Sequence, residues 1–306
     1  MIKVFGHKSP DTDSTGSPII WAWYLSAVKG MPAEPVLLGE PNTEAAFVLR
    51  RWDLPKPRII ADVAEGEDVV IVDTNNPAEL PPSINAANVI QIIDHHLLAG
   101  GLKTRGPIDI TVRPLASTAT IMHDLIGPAD MAKMPEPIKC AMLSCILSDT
   151  LEFRSPTTTP HDRAVAEALA KDLGIAIPDY AEELFAAKSD VSAFSEADLL
   201  RMDSKEYEVG GVQVRVSVLE TTSPKVVLDR KAALMAAMPG VAAEDGAEHV
   251  LLFIIDILRE EAHLLVPNDT VKKIAEASFP CTVTGDTVVL PGIMSRKKQI
   301  IPALKL

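Results

Sequence analysis

Three short apolar runs in this chain each end on residues that carry charge or an imidazole, and that repetition constrains the fold more than any other feature. Ile2–Phe5 leads into Gly6-His7-Lys8-Ser9-Pro10-Asp11-Thr12-Asp13-Ser14. Val69-Val70-Ile71-Val72 leads into Asp73, and Val89-Ile90-Gln91-Ile92-Ile93 leads into Asp94-His95-His96. Runs this short and this rich in β-branched residues read as strands, and Pro10 forbids the first from continuing. Segments of helical periodicity lie between the strands, so a parallel sheet covered on both faces is implied. In open α/β sheets ligands bind at the carboxyl ends of the strands, so groups far apart in sequence can converge there.

The pattern extends along the chain. Helices are expected over 15–28, 44–52, 118–126, 138–147 and 161–173, with further strands at 35–38 and 58–62, and prolines punctuate the gaps. A small polar segment at 189–195, Ser-Asp-Val-Ser-Ala-Phe-Ser, reads as a linker. Beyond it, strands are expected at 207–209, 212–219, 249–257, 261–266 and 287–290, and a helix over 224–238. The fold class is therefore α/β in two domains. Residues 1–188 form a parallel-sheet domain with helices on both faces, and 196–306 form a smaller α/β domain. No internal repeat or low-complexity tract is present.

Composition narrows the class of function. With 47% hydrophobic residues among 306, the chain can bury one large core or two ordinary ones. A formal net charge of -13 argues against a nucleic-acid-binding surface over the whole molecule, while leaving room for a local basic pocket. The N-terminal residues lack the pattern of a targeting segment, and no apolar stretch approaches the ~20 residues of a membrane span. Cys140, Cys145 and Cys281 are odd in number and without Cys-x-x-Cys spacing, which fits a reduced, cytoplasmic setting. Cys140 and Cys145 fall in a helical pattern and read as small core residues.

The nonapeptide after the first strand has two readings. Asp13 or Ser14 can cap the following helix, or the two carboxylates and His7 can hold a cation, which relieves their mutual repulsion. A fourth acid, Asp149, closes the apolar helix near 138–148. Counted together, His7, Asp11, Asp13, Asp73, His95 and Asp149 are too many donors for one four-coordinate ion and suit two ions sharing a carboxylate. Two divalent ions roughly 3.5–4 Å apart form a clamp suited to phosphoryl transfer, so hydrolysis of a phosphoanhydride or phosphodiester is implied. Oxygen and imidazole donors without thiolate suit manganese or cobalt; zinc accepts the same donors.

Near the C-terminus, Ser295-Arg296-Lys297-Lys298-Gln299 places three cations in a row in an acidic chain. Such a run is usually a solvated surface, but Arg can grip phosphate oxygens in bidentate fashion and Lys can neutralise them. Lys205 is a second candidate of the same kind.

Gly6-His7-Lys8-Ser9-Pro10-Asp11-Thr12-Asp13, Asp73-Thr74-Asn75, Asp94-His95-His96 and Ser148-Asp149-Thr150-Leu151 together resemble the motifs of the DHH phosphoesterase superfamily, and most closely those of the manganese-dependent family II inorganic pyrophosphatases. The likeness runs from end to end, including residues 114–121 and the loop 153–162. Ser9 stands where that family more often has Asn, between ligands. The resemblance implies that His7, Asp11, Asp13, Asp73, His95 and Asp149 hold two Mn2+ or Co2+ ions per site, with Mg2+ arriving on the substrate. It further implies that Lys205, Arg296 and Lys297, in a DHHA2-like C-terminal domain, hold pyrophosphate. His96 contacts substrate or assists proton transfer, and Asp94 orients an imidazole.

The activity so implied is hydrolysis of inorganic pyrophosphate to two phosphates by a metal-bridging hydroxide, in a cleft that closes between the domains of a homodimer. Neither nucleic acid nor membrane is an expected partner. The rival reading is another DHH phosphoesterase, acting on oligonucleotides or cyclic dinucleotides. Such relatives carry a Gly-Gly-Gly-His type motif in the second domain, and this chain has none. A metal-binding regulatory protein on the same scaffold would keep the acids without requiring Arg296 and Lys297.

Overall fold

Val69 to Val72 are all buried, but they serve two different cores: alternate side chains of a strand point to opposite faces, and this strand is covered on both. The computed structural model describes residues 1–305 and divides into two units, Met1–Lys188 and Ser189–Leu306. The first comprises β1 (Ile2–Phe5), α1 (Thr12–Trp23), β2 (Ala33–Leu37), α2 (Thr43–Arg51), β3 (Arg58–Ile59), β4 (Asp68–Val72), β5 (Asn88–Asp94) and β6 (Asp109–Val112). It continues with α3 (Thr118–Ile126), α4 (Pro128–Met131), α5 (Glu136–Asp149), α6 (Pro160–Leu173) and α7 (Ile177–Lys188). Its six strands lie in the order β3-β2-β1-β4-β5-β6, every neighbouring pair parallel.

The two faces of this sheet are covered unequally. Val4, Val70, Val72 and Ile93 pack under Ile20 and Trp21 of α1, Ile121 and Met122 of α3, and Met142, Leu143 and Ile146 of α5. Phe5, Val36, Val69, Ile71 and Ile92 face the other way, against Leu80 and Ile84 beside two short 3-10 turns, Pro77–Glu79 and Ile84–Ala86. The strand order reverses direction between β1 and β4, which opens a crevice at their carboxyl ends.

Several elements differ from expectation for identifiable reasons. The helix expected from residue 15 starts at Thr12, because Asp11, and neither Asp13 nor Ser14, is its cap: Asp11 is extended and its Oδ1 accepts the Ser14 amide at 2.9 Å. Downstream, α1 passes into a π-helical turn at Tyr24–Val28. The weakly patterned β6 was not expected, nor was α7, whose Tyr180, Ala181, Leu184 and Phe185 nevertheless bury one helical face.

The second unit contains α8 (Glu196–Arg201), β7 (Ser204–Val209), β8 (Val212–Thr221), α9 (Pro224–Leu228), α10 (Lys231–Glu244), β9 (His249–Asp256), β10 (Glu261–Leu265), α11 (Asp269–Ser278), β11 (Thr287–Pro291) and α12 (Ile301–Ala303). Its sheet runs β11-β10-β9-β8-β7, parallel only between β8 and β9. Gly210 and Gly211, at φ 58° and 84°, make the two-residue β7–β8 turn that side chains with a Cβ resist. The single helix expected over 224–238 is two, and α10 continues through Pro239, which is exposed. Segment 189–195 is held in this unit, where Arg230 donates to the carbonyls of Val191 and Phe194. Among the described residues no helix is long and apolar enough to cross a membrane.

Close packing of α1 on α5 yields a test. A Cβ added at Gly16 would lie 2.4 Å from Cys145 Sγ. Although Ala favours a helix over Gly by about 1 kcal/mol, Gly16→Ala should destabilise the first unit by roughly 1–3 kcal/mol through overpacking. Adding Cys145→Ala should restore most of the loss in denaturant-unfolding midpoints.

Candidate metal centre

The crevice between β1 and β4 collects the ionisable residues because each strand ends there. His7, Asp11 and Asp13 follow β1, Asp73 follows β4, His95 and His96 follow β5, and Asp149 is the last residue of α5. His7, Asp11 and Asp73 bring one donor atom each to within 4.8 Å of one another, as do Asp13, His95 and Asp149. The two groups meet at Asp73, whose Oδ2 lies 3.6 Å from His7 Nε2 and whose Oδ1 lies 3.3 Å from His95 Nε2. Asp73, His95 and His96 form a third such group. A cavity of about 600 Å³ opens beside His7 and His96, lined also by Lys8, Ser9, Asn75 and Asn76.

Local structure aims these side chains. Asp73 has φ 58°, a left-handed conformation that Asp tolerates better than most residues. Just past Asp149, Leu151, Glu152 and Phe153 are left-handed in succession, and Arg163 stacks 4.3 Å from the Phe153 ring. Ser14 Oγ accepts the His7 amide at 2.8 Å, an approach possible only because position 6 is Gly: a Cβ there would meet that oxygen at 2.0 Å.

The hydrogen bonds also settle which imidazole nitrogens face the centre. His95 Nδ1 is 3.1 Å from the Leu115 carbonyl, which can only accept, so Nδ1 carries the proton and Nε2 presents a lone pair toward Asp73. His96 Nδ1 is 2.9 Å from Asp94 Oδ1, which leaves Nε2 for the cavity. Asp94 in turn accepts from Asn75 Nδ2 at 2.5 Å, and Asn75 also bonds the carbonyl of Leu97 and the amide of Ala99. Thus Asp94 does orient an imidazole, that of His96.

Sequence reasoning assigned no role to the start of α3, yet it supports two acids. Asp13 Oδ2 accepts Ser117 Oγ at 3.0 Å and the Thr118 amide at 2.7 Å, while Asp73 Oδ1 accepts Thr118 Oγ1 at 3.2 Å. Asp162, wholly buried, holds the Ala116 amide next to Leu115. The nearest signal in the sequence was Ser117 before an apolar helix, legible only as a cap.

Burial first, and then repulsion from Asp13 and Asp11, pushes the Asp73 carboxyl well above its ordinary range; burial together with Asp13 and Asp73 does the same to Asp149. Burial also pushes Asp11 upward, but the hydrogen bonds from His7 and the Ser14 amide outweigh it and hold Asp11 below the usual value. Asp94 is lowered likewise, its bonds to His96 and Asn75 outweighing burial. Asp149 Oδ2 is buried with no hydrogen-bond partner among the described residues. Crowded acids, an orphaned buried carboxylate oxygen and two lone-pair imidazoles fit divalent cations with oxygen and nitrogen ligation. The Cys145 thiol beneath the centre is instead pushed up by burial and bonded to the Thr12 carbonyl.

In the second unit, the basic run forms a π-helical turn, Arg296–Ile300, capped by Ser295. The Arg296 guanidinium donates to the Asp203 carbonyl at 2.7 Å and lies 2.8 Å from its carboxylate. Lys205 follows two residues after Asp203, so the two stretches sit side by side. Lys205 and Lys297 are exposed and form no ion pair among the described residues.

Comparison with known proteins agrees with this geometry. Residues 1–149 match the family model "DHH family, N-terminal domain" and 182–306 match "DHHA2 domain", which makes the chain a protein of the DHH class carrying both parts. A Deinococcus radiodurans protein named "Probable manganese-dependent inorganic pyrophosphatase" is 40% identical across all of this chain and 98% of its own length, and a Lactobacillus acidophilus protein of the same name is 36% identical over 98% and 96%. The crystal structure of a Methanococcus jannaschii protein assigned to the family II inorganic pyrophosphatases superimposes with a TM-score of 0.61 at 32% identity, covering 99% of this chain and 98% of that one. The chain belongs to the family of manganese-dependent, family II inorganic pyrophosphatases.

The raised acids give the metal-free protein a pH signature. Because the folded pKa of Asp73 and of Asp149 exceeds the unfolded 3.8, the folded state holds protons the unfolded state has lost. The stability these two groups contribute is therefore full below 3.8 and declines as pH rises toward their folded values. Asp11 and Asp94, lowered, contribute stability above 3.8 that is lost in stronger acid. Thermal unfolding of the metal-free chain should show the raised pair's loss as pH rises above 3.8, and saturating Mn2+ should abolish it.

Proposed function

We propose that this chain hydrolyses inorganic pyrophosphate to two phosphates. The observation that carries the reading is the meeting of two three-donor groups on Asp73, in a chain aligned from end to end with relatives named for that activity and for manganese. His7, Asp11 and Asp73 would hold one divalent ion and Asp13, His95 and Asp149 a second, with Asp73 standing between the two groups. Bound Mn2+ or Co2+ supplies Lewis-acid charge and lowers the pKa of water to the neutral range; Mg2+ accompanies the substrate.

The remaining work falls to positioning and electrostatics, since phosphoryl transfer asks little covalent chemistry of a protein. The domain 1–188 carries the ligands and 196–306 binds substrate, with 189–195 joining them. Lys205 and Lys297, exposed and without ion-pair partners among the described residues, neutralise phosphate oxygens. Arg296 offers guanidinium N–H groups beyond those spent on Asp203. His96, its Nδ1 proton fixed by Asp94, presents Nε2 to substrate or a transferring proton. Closure of the two domains excludes water and brings the cations to the acids. The homodimer and the cytoplasmic setting belong to the same reading, and no nucleic acid or membrane takes part.

Phosphate release from pyrophosphate should be fast after preincubation with Mn2+ or Co2+, and an oligonucleotide or a cyclic dinucleotide should stay uncleaved. The reverse preference would establish the rival phosphodiesterase reading. Arg296→Ala should lower kcat/KM by about 10²–10³ with metal content unchanged. Asp73→Ala should lose bound transition metal along with activity; two ions retained would remove Asp73 as the shared ligand.

A further inference from the structure

Glu44, in the first turn of α2, has no exposed surface, and nothing in the reaction proposed above uses it. Its Oε2 accepts Thr12 Oγ1 at 2.9 Å and Ser148 Oγ at 2.7 Å. Lys188 Nζ lies 3.4 Å from the same oxygen, while Oε1 is buried with no hydrogen-bond partner among the described residues. Thr12 stands between Asp11 and Asp13, and Ser148 immediately precedes Asp149. One carboxylate thus ties the start of α1 to the end of α5, the two helices that deliver acids to the centre from outside the sheet. A buried carboxylate is costly to desolvate, and Lys188, partly exposed at the end of α7, is a modest counterion. An apolar residue at this position would avoid that cost but would leave two buried hydroxyls unpaired and the helix ends free to separate.

We propose that Glu44 is a positioning residue: by holding Thr12 and Ser148 on a single oxygen it fixes the separation of Asp13 from Asp149, and so the affinity of Asp13, His95 and Asp149 for a divalent cation. Groups that orient metal ligands in this way are worth 10- to 100-fold in affinity. Lys188 balances the buried charge, and its positive charge also reaches Asp11. The inference rests on the ligand assignment made above, and its test separates the two.

Mn2+ is titrated calorimetrically into the metal-free full-length chain, with folding checked by circular dichroism. Glu44→Ala should weaken Mn2+ binding about 10- to 100-fold, and Glu44→Gln, which keeps an acceptor oxygen for both hydroxyls, should recover most of the loss. Leu49→Ala removes buried packing from the same helix away from the centre and should bind Mn2+ as the parent does. Parent-like affinity in Glu44→Ala, or an equal loss in Leu49→Ala, overturns the positioning role. If Asp149→Ala loses Mn2+ while Glu44→Ala does not, the ligand assignment stands and the inference fails; if neither loses Mn2+, both fail. Should Glu44→Ala not fold, Ser148→Ala removes one of the two tethers and should weaken Mn2+ binding several-fold, parent-like affinity again overturning the role.

Discussion

Mutual repulsion among buried carboxylates is the constraint on which the first unit is organised. Asp13 and Asp73 are almost wholly buried, Asp149 ends a helix packed into the core, and Asp11 stands beside His7. Without counter-charge, burial and repulsion drive Asp73 and Asp149 toward their neutral forms. The site is therefore a place where the fold stores electrostatic cost that bound divalent cations would relieve. That cost is tolerable because the surrounding backbone is firmly held, from the six parallel strands to the cap at Asp11.

The supporting structure divides into layers of different origin. The sheet delivers His7, Asp73 and His95 at one edge because β1, β4 and β5 are adjacent at the reversal of strand order. The start of α3 supplies Ser117 and Thr118 as donors to Asp13 and Asp73. A longer relay runs from Asp162 through the Ala116 amide and the Leu115 carbonyl to His95 Nδ1, so α6 decides which nitrogen of His95 faces Asp73. Glu44 plays the corresponding part between α1 and α5. Left-handed backbone at Asp73 and at Leu151 to Phe153 shows that the acids are held in conformations the isolated chain would avoid.

In the second unit the cations are presented differently. Lys205 and Lys297 stay at the surface, and Arg296 is steadied by Asp203. An exposed cation keeps its hydration until an anion replaces it, which suits transient binding of an anion better than a buried pair does.

Much of this was legible in the chain itself. Apolar runs ending at Phe5, Val72 and Ile93 determined a parallel sheet, and the ionisable residues that follow them determined which edge carries the chemistry, because strand length and periodicity are local properties. The same locality misled at the start of α1, where Asp13 or Ser14 read as the cap and Asp11, extended and accepting the Ser14 amide, is the cap. Tertiary structure alone decided that Asp73 sits between two donor groups, that Thr118 donates to Asp13 and Asp73, that Glu44 accepts from Thr12 and Ser148, and that Asn75 steadies Asp94. Those roles depend on which elements become neighbours, a matter of long-range packing that no local pattern encodes.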